Sequence, residues 1–239
     1  WIEIGAAVSL EKAYALLAED YPELTELWLR FASLPIRNAG TLGGNVANGS
    51  PIGDSAPALI AIGTRVVLQR GEQRRELPLE DLYLAYQKNA MEEGEFVAGL
   101  RIPAREGRDA LRFRTYKLSK RFDEDISAVC AALAIELDGD MVRSARIAYG
   151  GMAATSKRAT ETENAIVGQP WNEATVRAAM AAMSRDYTPL TDMRATDNYR
   201  RVSAANTVYR FWLETRTDAP LGPQQINVRA VELNTLTAA

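Results

Sequence analysis

Residues 31–59 read FASLPIRNAGTLGGNVANGSPIGDSAPAL. The middle of this stretch, residues 35–55, is rich in Gly, Asn and Ser and follows neither a helical nor a strand period. About 20 irregular residues inside a compact domain are uncommon and usually functional. Within it stand Gly40-Thr41-Leu42-Gly43-Gly44-Asn45 and then Ser50-Pro51-Ile52-Gly53-Asp54. Glycines let backbone N–H groups come close to an anion, and Thr41 adds a hydroxyl donor. Asp54 suits the acceptance of hydrogen bonds from ribose hydroxyls. The spacing G-x-x-G-G is not the dinucleotide fingerprint G-x-G-x-x-G, and it follows a helix rather than a strand. It also lacks the Gly-Lys-Ser/Thr end of a P-loop. Read alone, the segment is either a structural turn or a ligand cradle.

Upstream, WIEIGA alternates like a strand, and Ser9 is placed to cap a helix whose face is Leu10, Ala13, Tyr14 and Leu17. Tyr21-Pro22 ends it and starts another, with Leu24, Leu27, Trp28 and Phe31 in one stripe. Downstream, Asp54 is the expected cap of the helix APALIAI, stopped at Gly63. TRVVLQR and QRRELPL form a hairpin at Gly71, residues 78–88 read as helix or loop, and EFVAGLRIP is a strand. The polar break AREGR (104–108) marks a domain boundary. Beyond it lie the strands ALRFRTYKL, ISAVCAALAIEL and MVRSARIAYGGM. Helices follow near 159–167, 172–185 and 198–215, the last with Val202, Ala205, Tyr209 and Trp212 inward. The expected class is α+β: domains at 1–106 and 107–216, then a loosely attached tail at 217–239.

Composition narrows the chemistry. The 239 residues carry a net charge of −3, 47% hydrophobic and 25% charged residues, so a globular core is affordable and no basic field for nucleic acid exists. There is no His, which removes imidazole acid/base chemistry and His-ligated metals. The one Cys, Cys130, allows no intrachain disulfide and no Cys-ligated iron–sulfur cluster, and its apolar setting reads as core. Carboxylates alone remain as metal ligands and are not spaced for it, so no metal site is expected. No apolar run approaches the ~18 residues of a membrane span, and a cytoplasmic protein is expected.

The segment 31–59 closely resembles the flavin-binding domain of the molybdenum hydroxylases, above all bacterial xanthine dehydrogenase small subunits, where IRN-x-[AG]-[ST]-[LIV]-GGN…SP-x-[SG]-D wraps FAD. KLSKRFDEDIS and IAYGGMA resemble that family's C-terminal flavoprotein domain. The resemblance covers about residues 1–216. It implies part of a vanillyl-alcohol-oxidase-like FAD-binding domain, followed by a three-stranded antiparallel sheet with a helical bundle, as in CO dehydrogenase flavoprotein C-terminal domains. It implies FAD as cofactor, with iron–sulfur clusters and a molybdenum cofactor in partner subunits or other segments. The intact enzyme would oxidise a purine such as xanthine, and electrons would leave this domain for NAD⁺ or O₂. A sibling enzyme acting on CO, a nicotinate-like ring, an aldehyde or an aryl-CoA is the alternative; a flavin-free interaction module is another.

By motif position, the resemblance places Thr41 at the phosphate or ribitol of FAD, with Gly43, Gly44 and Asn45 beside it. It places Asp54 on the adenosine side, and Phe31, Val97 and Lys117 near the flavin ring. No residue is implied as nucleophile or acid/base. The resemblance sets Arg121, Asp123, Glu124 and Asp125, with Phe122 between them, in a mobile loop over the flavin face where NAD⁺ binds; a solvated acidic turn before a strand explains them equally well. Core packing explains Phe31 and Val97 equally well, and a solvated strand end explains Lys117. Tyr149-Gly150-Gly151-Met152 reads as packing, and the pairs Arg200-Arg201 and Arg74-Arg75 as solvated surface or subunit contacts. The family's earlier glycine-rich segment, V-x-G-[GN]-T-[DE], which binds the FAD pyrophosphate, does not occur here. FAD retention is therefore expected to depend on that upstream segment as a partner.

Overall fold

A computed structural model describes residues 1–226; residues 227–239, most of the expected tail, lie outside the described residues. The chain runs β1 (Ile2–Gly5), α1 (Leu10–Asp20), a 3₁₀ turn, α2 (Thr25–Arg30), α3 (Leu34–Ala39), α4 (Leu42–Asn48) and α5 (Ser55–Ile62). The hairpin β2 (Arg65–Arg70) and β3 (Gln73–Pro78) follows, then β4 (Tyr83–Ala85), β5 (Lys88–Asn89) and β6 (Phe96–Ile102). The second half holds β7 (Leu111–Leu118), β8 (Val129–Asp138), β9 (Met141–Gly150), β10 (Lys157–Arg158), α6 (Thr160–Asn164), α7 (Glu173–Asp186), α8 (Asp197–Thr215) and α9 (Pro223–Ile226).

Two antiparallel four-stranded sheets organise these elements, in the orders β1-β6-β2-β3 and β10-β9-β8-β7. The expected three-stranded second sheet is present, with the two-residue β10 added at its edge. β8 explains its own sequence. Cys130, Ala132 and Ala134 join the core beneath α5, while Val129, Ala131, Leu133 and Ile135 join the core beneath α7 and α8. A strand buried on both faces needs no polar alternation, so AVCAALAI (128–135) is apolar throughout. α5 packs on β8 and β9, and the second sheet therefore closes the first domain's core.

Several local expectations change. Residues 35–55 are only partly irregular: 35–39 and 42–48 fold into α3 and α4, each too short to show a period, and 49–54 form the loop before α5. The Leu24–Phe31 stripe is split, since Leu24 ends a 3₁₀ turn and Phe31 lies beyond α2 in an extended conformation. Residues 78–88 form a 3₁₀ turn and the small β4–β5 hairpin. The inner face of α8 is Ala204, Val208, Phe211 and Trp212, whereas Val202 is 52% exposed. Arg200 is not solvated: it is buried, and donates to the carbonyls of Ala128 and Gly151 (2.8 Å) and to Asp192 (2.7 Å). Arg201 and Arg74 do lie at the surface. Among the described residues no helix is long and apolar enough to cross a membrane, and no group of three His, Cys, Asp or Glu gathers as a metal site.

The α8 register gives a direct test. Phe211→Ala should cost about 3–5 kcal/mol of folding stability by opening a cavity, and Val202→Ala less than about 0.5 kcal/mol. Denaturant unfolding of both variants measures this, and equal losses would put the helix face back at Val202.

Candidate functional site

The Thr41–Asn45 segment is the first turn of α4. Thr41 caps the helix, its Oγ1 accepting from Gly44 N at 3.1 Å. Leu42 N donates to Val8 O (3.0 Å), Gly43 N to Ala6 O (3.1 Å) and Asn45 N to Thr41 O (3.0 Å). These N–H groups are thus already engaged within the chain, which corrects the expectation that the glycines aim them at an anion. Gly43 serves close approach instead: a Cβ there would overlap Ala6, whose Cα would be 2.6 Å away. Exposed Gly44 leaves open surface beside half-buried Thr41 and Asn45. The Thr41 hydroxyl hydrogen and the Asn45 side-chain amide are the donors available there.

Phe31 sits at the bend where α2 gives way to α3. Its ring lies 6.1 Å from that of Tyr14, centroid to centroid, and is only half-buried. Ala32 has φ of +46°, and Leu34 and Ile36 on α3 are exposed. Tyr14, buried in α1, donates its hydroxyl to Ser55 Oγ at 2.9 Å, and burial pushes its phenol well above the ordinary value.

Ser55 adjoins Asp54, which does not cap α5 with its side chain. Asp54 instead forms a buried ion pair with Lys117 Nζ at 2.6 Å. Lys117 also donates to Ser127 Oγ (2.8 Å), and Ser127 donates to the other Asp54 oxygen (2.6 Å). Lys117 is therefore no solvated strand end. Two charges out of water are tolerable only when paired and hydrogen-bonded, and this triad satisfies both carboxylate oxygens. Cys130 lies against the Asp54 carbonyl, and burial, then the Asp54 charge, push its thiol up. Because Asp54 and Lys117 touch, they cannot stand at opposite ends of one extended FAD; the adenosine-side and ring-side assignments exclude each other.

Val97 faces the first core with Leu42 and Val46, behind α4 rather than on its open surface. The loop 121–125 is tied at several points. Arg30 Nε donates to Phe122 O (2.9 Å) and its guanidinium stacks 4.2 Å from the Phe122 ring. Asp125 accepts from Arg121 N (2.9 Å) and Ile126 N (2.9 Å), and those backbone donors hold its carboxyl below the usual range. Arg121 is exposed, and Glu124 takes a left-handed φ of +54°. Sequence reasoning missed Tyr14, Ser127, Arg30, Glu11 and Arg37. Only Arg37 carried a signal, as the Arg of IRN.

Residues 1–105 match the family described as the FAD binding domain in molybdopterin dehydrogenase, and residues 114–215 the CO dehydrogenase flavoprotein C-terminal domain. The chain belongs to the FAD-binding part of the molybdenum hydroxylases. It is 30% identical over 211 residues to nicotinate hydroxylase hnxS of Emericella nidulans, covering 86% of this chain and 16% of that one. It is 28% identical over 253 residues to xanthine dehydrogenase of the same organism, covering 100% of this chain and 18% of that one. The chain thus spans less than a fifth of these relatives. Carbon monoxide dehydrogenase from Hydrogenophaga pseudoflava superposes with a TM-score of 0.80 at 28% identity, covering 87% of this chain and 72% of that one.

The residues present fit FAD. Hydroxyl and amide donors beside Gly44, where a Cβ would crowd Thr41 Oγ1 at 2.8 Å, suit sugar or phosphate oxygens. The half-open Phe31 ring and the exposed Leu34 and Ile36 suit a flat aromatic face.

Three outcomes follow from this geometry. Asp54→Ala should destabilise the chain by about 3–5 kcal/mol by stranding the Lys117 ammonium, and Asp54→Leu with Lys117→Met should recover most of it in urea titrations. Gly43→Ala should cost about 1–3 kcal/mol through overpacking against Ala6, read by thermal melting. Cys130 should resist alkylation in the folded chain and react after unfolding, as mass spectrometry would register.

Proposed function

We propose that this chain is the FAD-carrying, electron-transfer part of a xanthine dehydrogenase-type molybdenum hydroxylase, working in the cytoplasm. In this reading its domains are 1–106 and 107–216, with the tail 217–239 outside both. Its partners are a molybdenum-cofactor subunit, an iron–sulfur domain or subunit, the upstream pyrophosphate-binding segment, and NAD⁺ or O₂ as final acceptor. The observation that carries the reading is the match of residues 1–105 to the FAD binding domain in molybdopterin dehydrogenase, with the Thr41 and Asn45 donors standing beside exposed Gly44 within it.

FAD, when bound, supplies the redox chemistry, taking electrons from clusters and passing them on as a pair. This chain's own residues bind and orient. Thr41 donates its hydroxyl and Asn45 its amide to FAD oxygens. Phe31 packs beside the ring, backed by Tyr14. Val97 supports α4 from behind. Gly43 and Gly44 let the chain come close. The paired Lys117 puts a fixed dipole, rather than a free charge, behind the site. Arg121, Asp123, Glu124 and Asp125 edge the face open to NAD⁺, and their excess negative charge disfavours an anionic reduced ring and so lowers its potential.

The 30% identity to a nicotinate hydroxylase supports a second reading, the same flavin part serving an N-heterocycle other than xanthine. Comparing xanthine and nicotinate turnover by the assembled enzyme separates the two. For the flavin reading, the purified chain with its partners should show a flavin band near ~450 nm. Thr41→Ala and Asn45→Ala should each weaken FAD binding by about 1–3 kcal/mol, about five- to 150-fold in Kd. Asn45→Ala should leave the melting temperature of the flavin-free chain within a degree or so, whereas Thr41→Ala, which also removes the α4 cap, should lower it by a few degrees. No flavin band, or unchanged affinity in both variants, would mean the surface serves another ligand.

A further inference from the structure

We propose that Arg37 is a positioning residue for the flavin: anchored by Glu11, it clamps the Phe31–Ala32 turn in the one conformation that presents Phe31 to the ring. The proposal rests on the reading of Phe31 as a flavin contact.

Ala32 adopts a left-handed backbone, φ +46°, which side-chain-bearing residues rarely do and which persists only where surroundings over-determine it. The surroundings are specific. Arg37 Nη1 donates to Phe31 O at 2.9 Å and to Ala32 O at 2.8 Å, so one guanidinium nitrogen holds the carbonyls on both sides of the strained residue. Its Nε donates to Glu11 Oε2 at 2.6 Å. The same carboxylate oxygen accepts from Trp28 Nε1 at 2.9 Å. Burial pushes the Glu11 carboxyl up, but the hydrogen bonds from Arg37 and Trp28 outweigh it and leave it below its ordinary value. The charged form of Glu11 is therefore the one the network holds. Arg37 itself is buried.

This network gathers three helices at one bend: Glu11 from α1, Trp28 from α2 and Arg37 from α3. α2 ends here, with Phe31 N donating to Trp28 O at 3.1 Å. A helix end leaves carbonyls without partners, and a cation placed against them is favoured both by hydrogen bonding and by the helix dipole. Elsewhere a Gly after the helix would make the left-handed turn without strain. Here Ala32 occupies that place and Arg37 supplies what glycine would have made unnecessary. The turn's direction then decides how much of the Phe31 ring faces out, since that ring is only half-buried at the core's edge and meets Tyr14 at a tilt of 33°.

The test is a substitution square read in the chain assembled with its upstream segment, with FAD and without it. Arg37→Met should free the turn, so that amide exchange at Ala32 and Ser33 quickens in the flavin-free chain. If only a tenth to a hundredth of molecules then keep the turn, the apparent Kd for FAD rises about 10- to 100-fold. Ala32→Gly alone should leave affinity within about threefold. Arg37→Met with Ala32→Gly should regain most of the lost affinity, because glycine needs no clamp. Rescue by glycine supports the proposal, for a merely structural arginine would not be rescued at a position it does not replace. Loss without rescue, or no change in exchange and affinity on Arg37→Met, overturns it. Phe31→Ala keeps the underlying reading separate: if exchange responds to the clamp as expected while Phe31→Ala binds FAD normally, the clamp is real but Phe31 does not face the flavin, which overturns the presentation half of the proposal.

Discussion

The buried pair of Asp54 and Lys117 fastens the two halves of this chain together. Asp54 ends the loop that leads into α5; Lys117 stands near the end of β7, and Ser127 precedes β8. Removed from water, each charge depends on the other, so the loop, the helix and the second sheet are held in one relation. The shared core beneath α5 supplies the bulk stabilisation, and the pair supplies its register, because an apolar face tolerates sliding and a buried ion pair does not. The candidate flavin surface is built on that fixed relation, with Phe31 joined to it through Tyr14 and Ser55.

A second theme is the use of arginine against backbone carbonyls. Arg37 holds the end of α2, Arg146 donates twice to Ile60 O near the end of α5, and Arg200 holds Ala128 and Gly151. Arg37 and Arg200 bind carbonyls outside helix and ladder, where leaving them buried and bare would be costly, while Arg146 adds to the Ile60 carbonyl that Gly63 N already caps. The planar guanidinium serves two acceptors at once, which a lysine cannot do with the same geometry. Arginine counts in the sequence would suggest a solvated surface; in the fold, several of these residues are internal braces.

Glycine has a correspondingly different part from the one its abundance suggests. In G-T-L-G-G-N the backbone donors turn inward, to Ala6, Val8 and Thr41. What the glycines provide is room, for α4 against Ala6 and for open surface at Gly44. The donors left open at this surface are the side chains of Thr41 and Asn45, not the loop's N–H groups.

The sequence by itself determined the α+β class, most strands, the long helices α1, α7 and α8, and the family, because period, turn residues and a long motif are local properties of the chain. It also identified the cofactor. It misplaced α3 and α4, since six- and seven-residue helices rich in Gly and Asn have too few turns to show a period. It misjudged the faces of α8 and the burial of Arg200, because nothing local says which side of a helix meets the sheet. The tertiary structure alone decided that Asp54 and Lys117 are partners rather than separate ligand contacts, and that Arg37 and Glu11 hold the Phe31 turn. Those relations join residues 63 and 26 positions apart, and only the folded path of the backbone brings them within hydrogen-bonding distance.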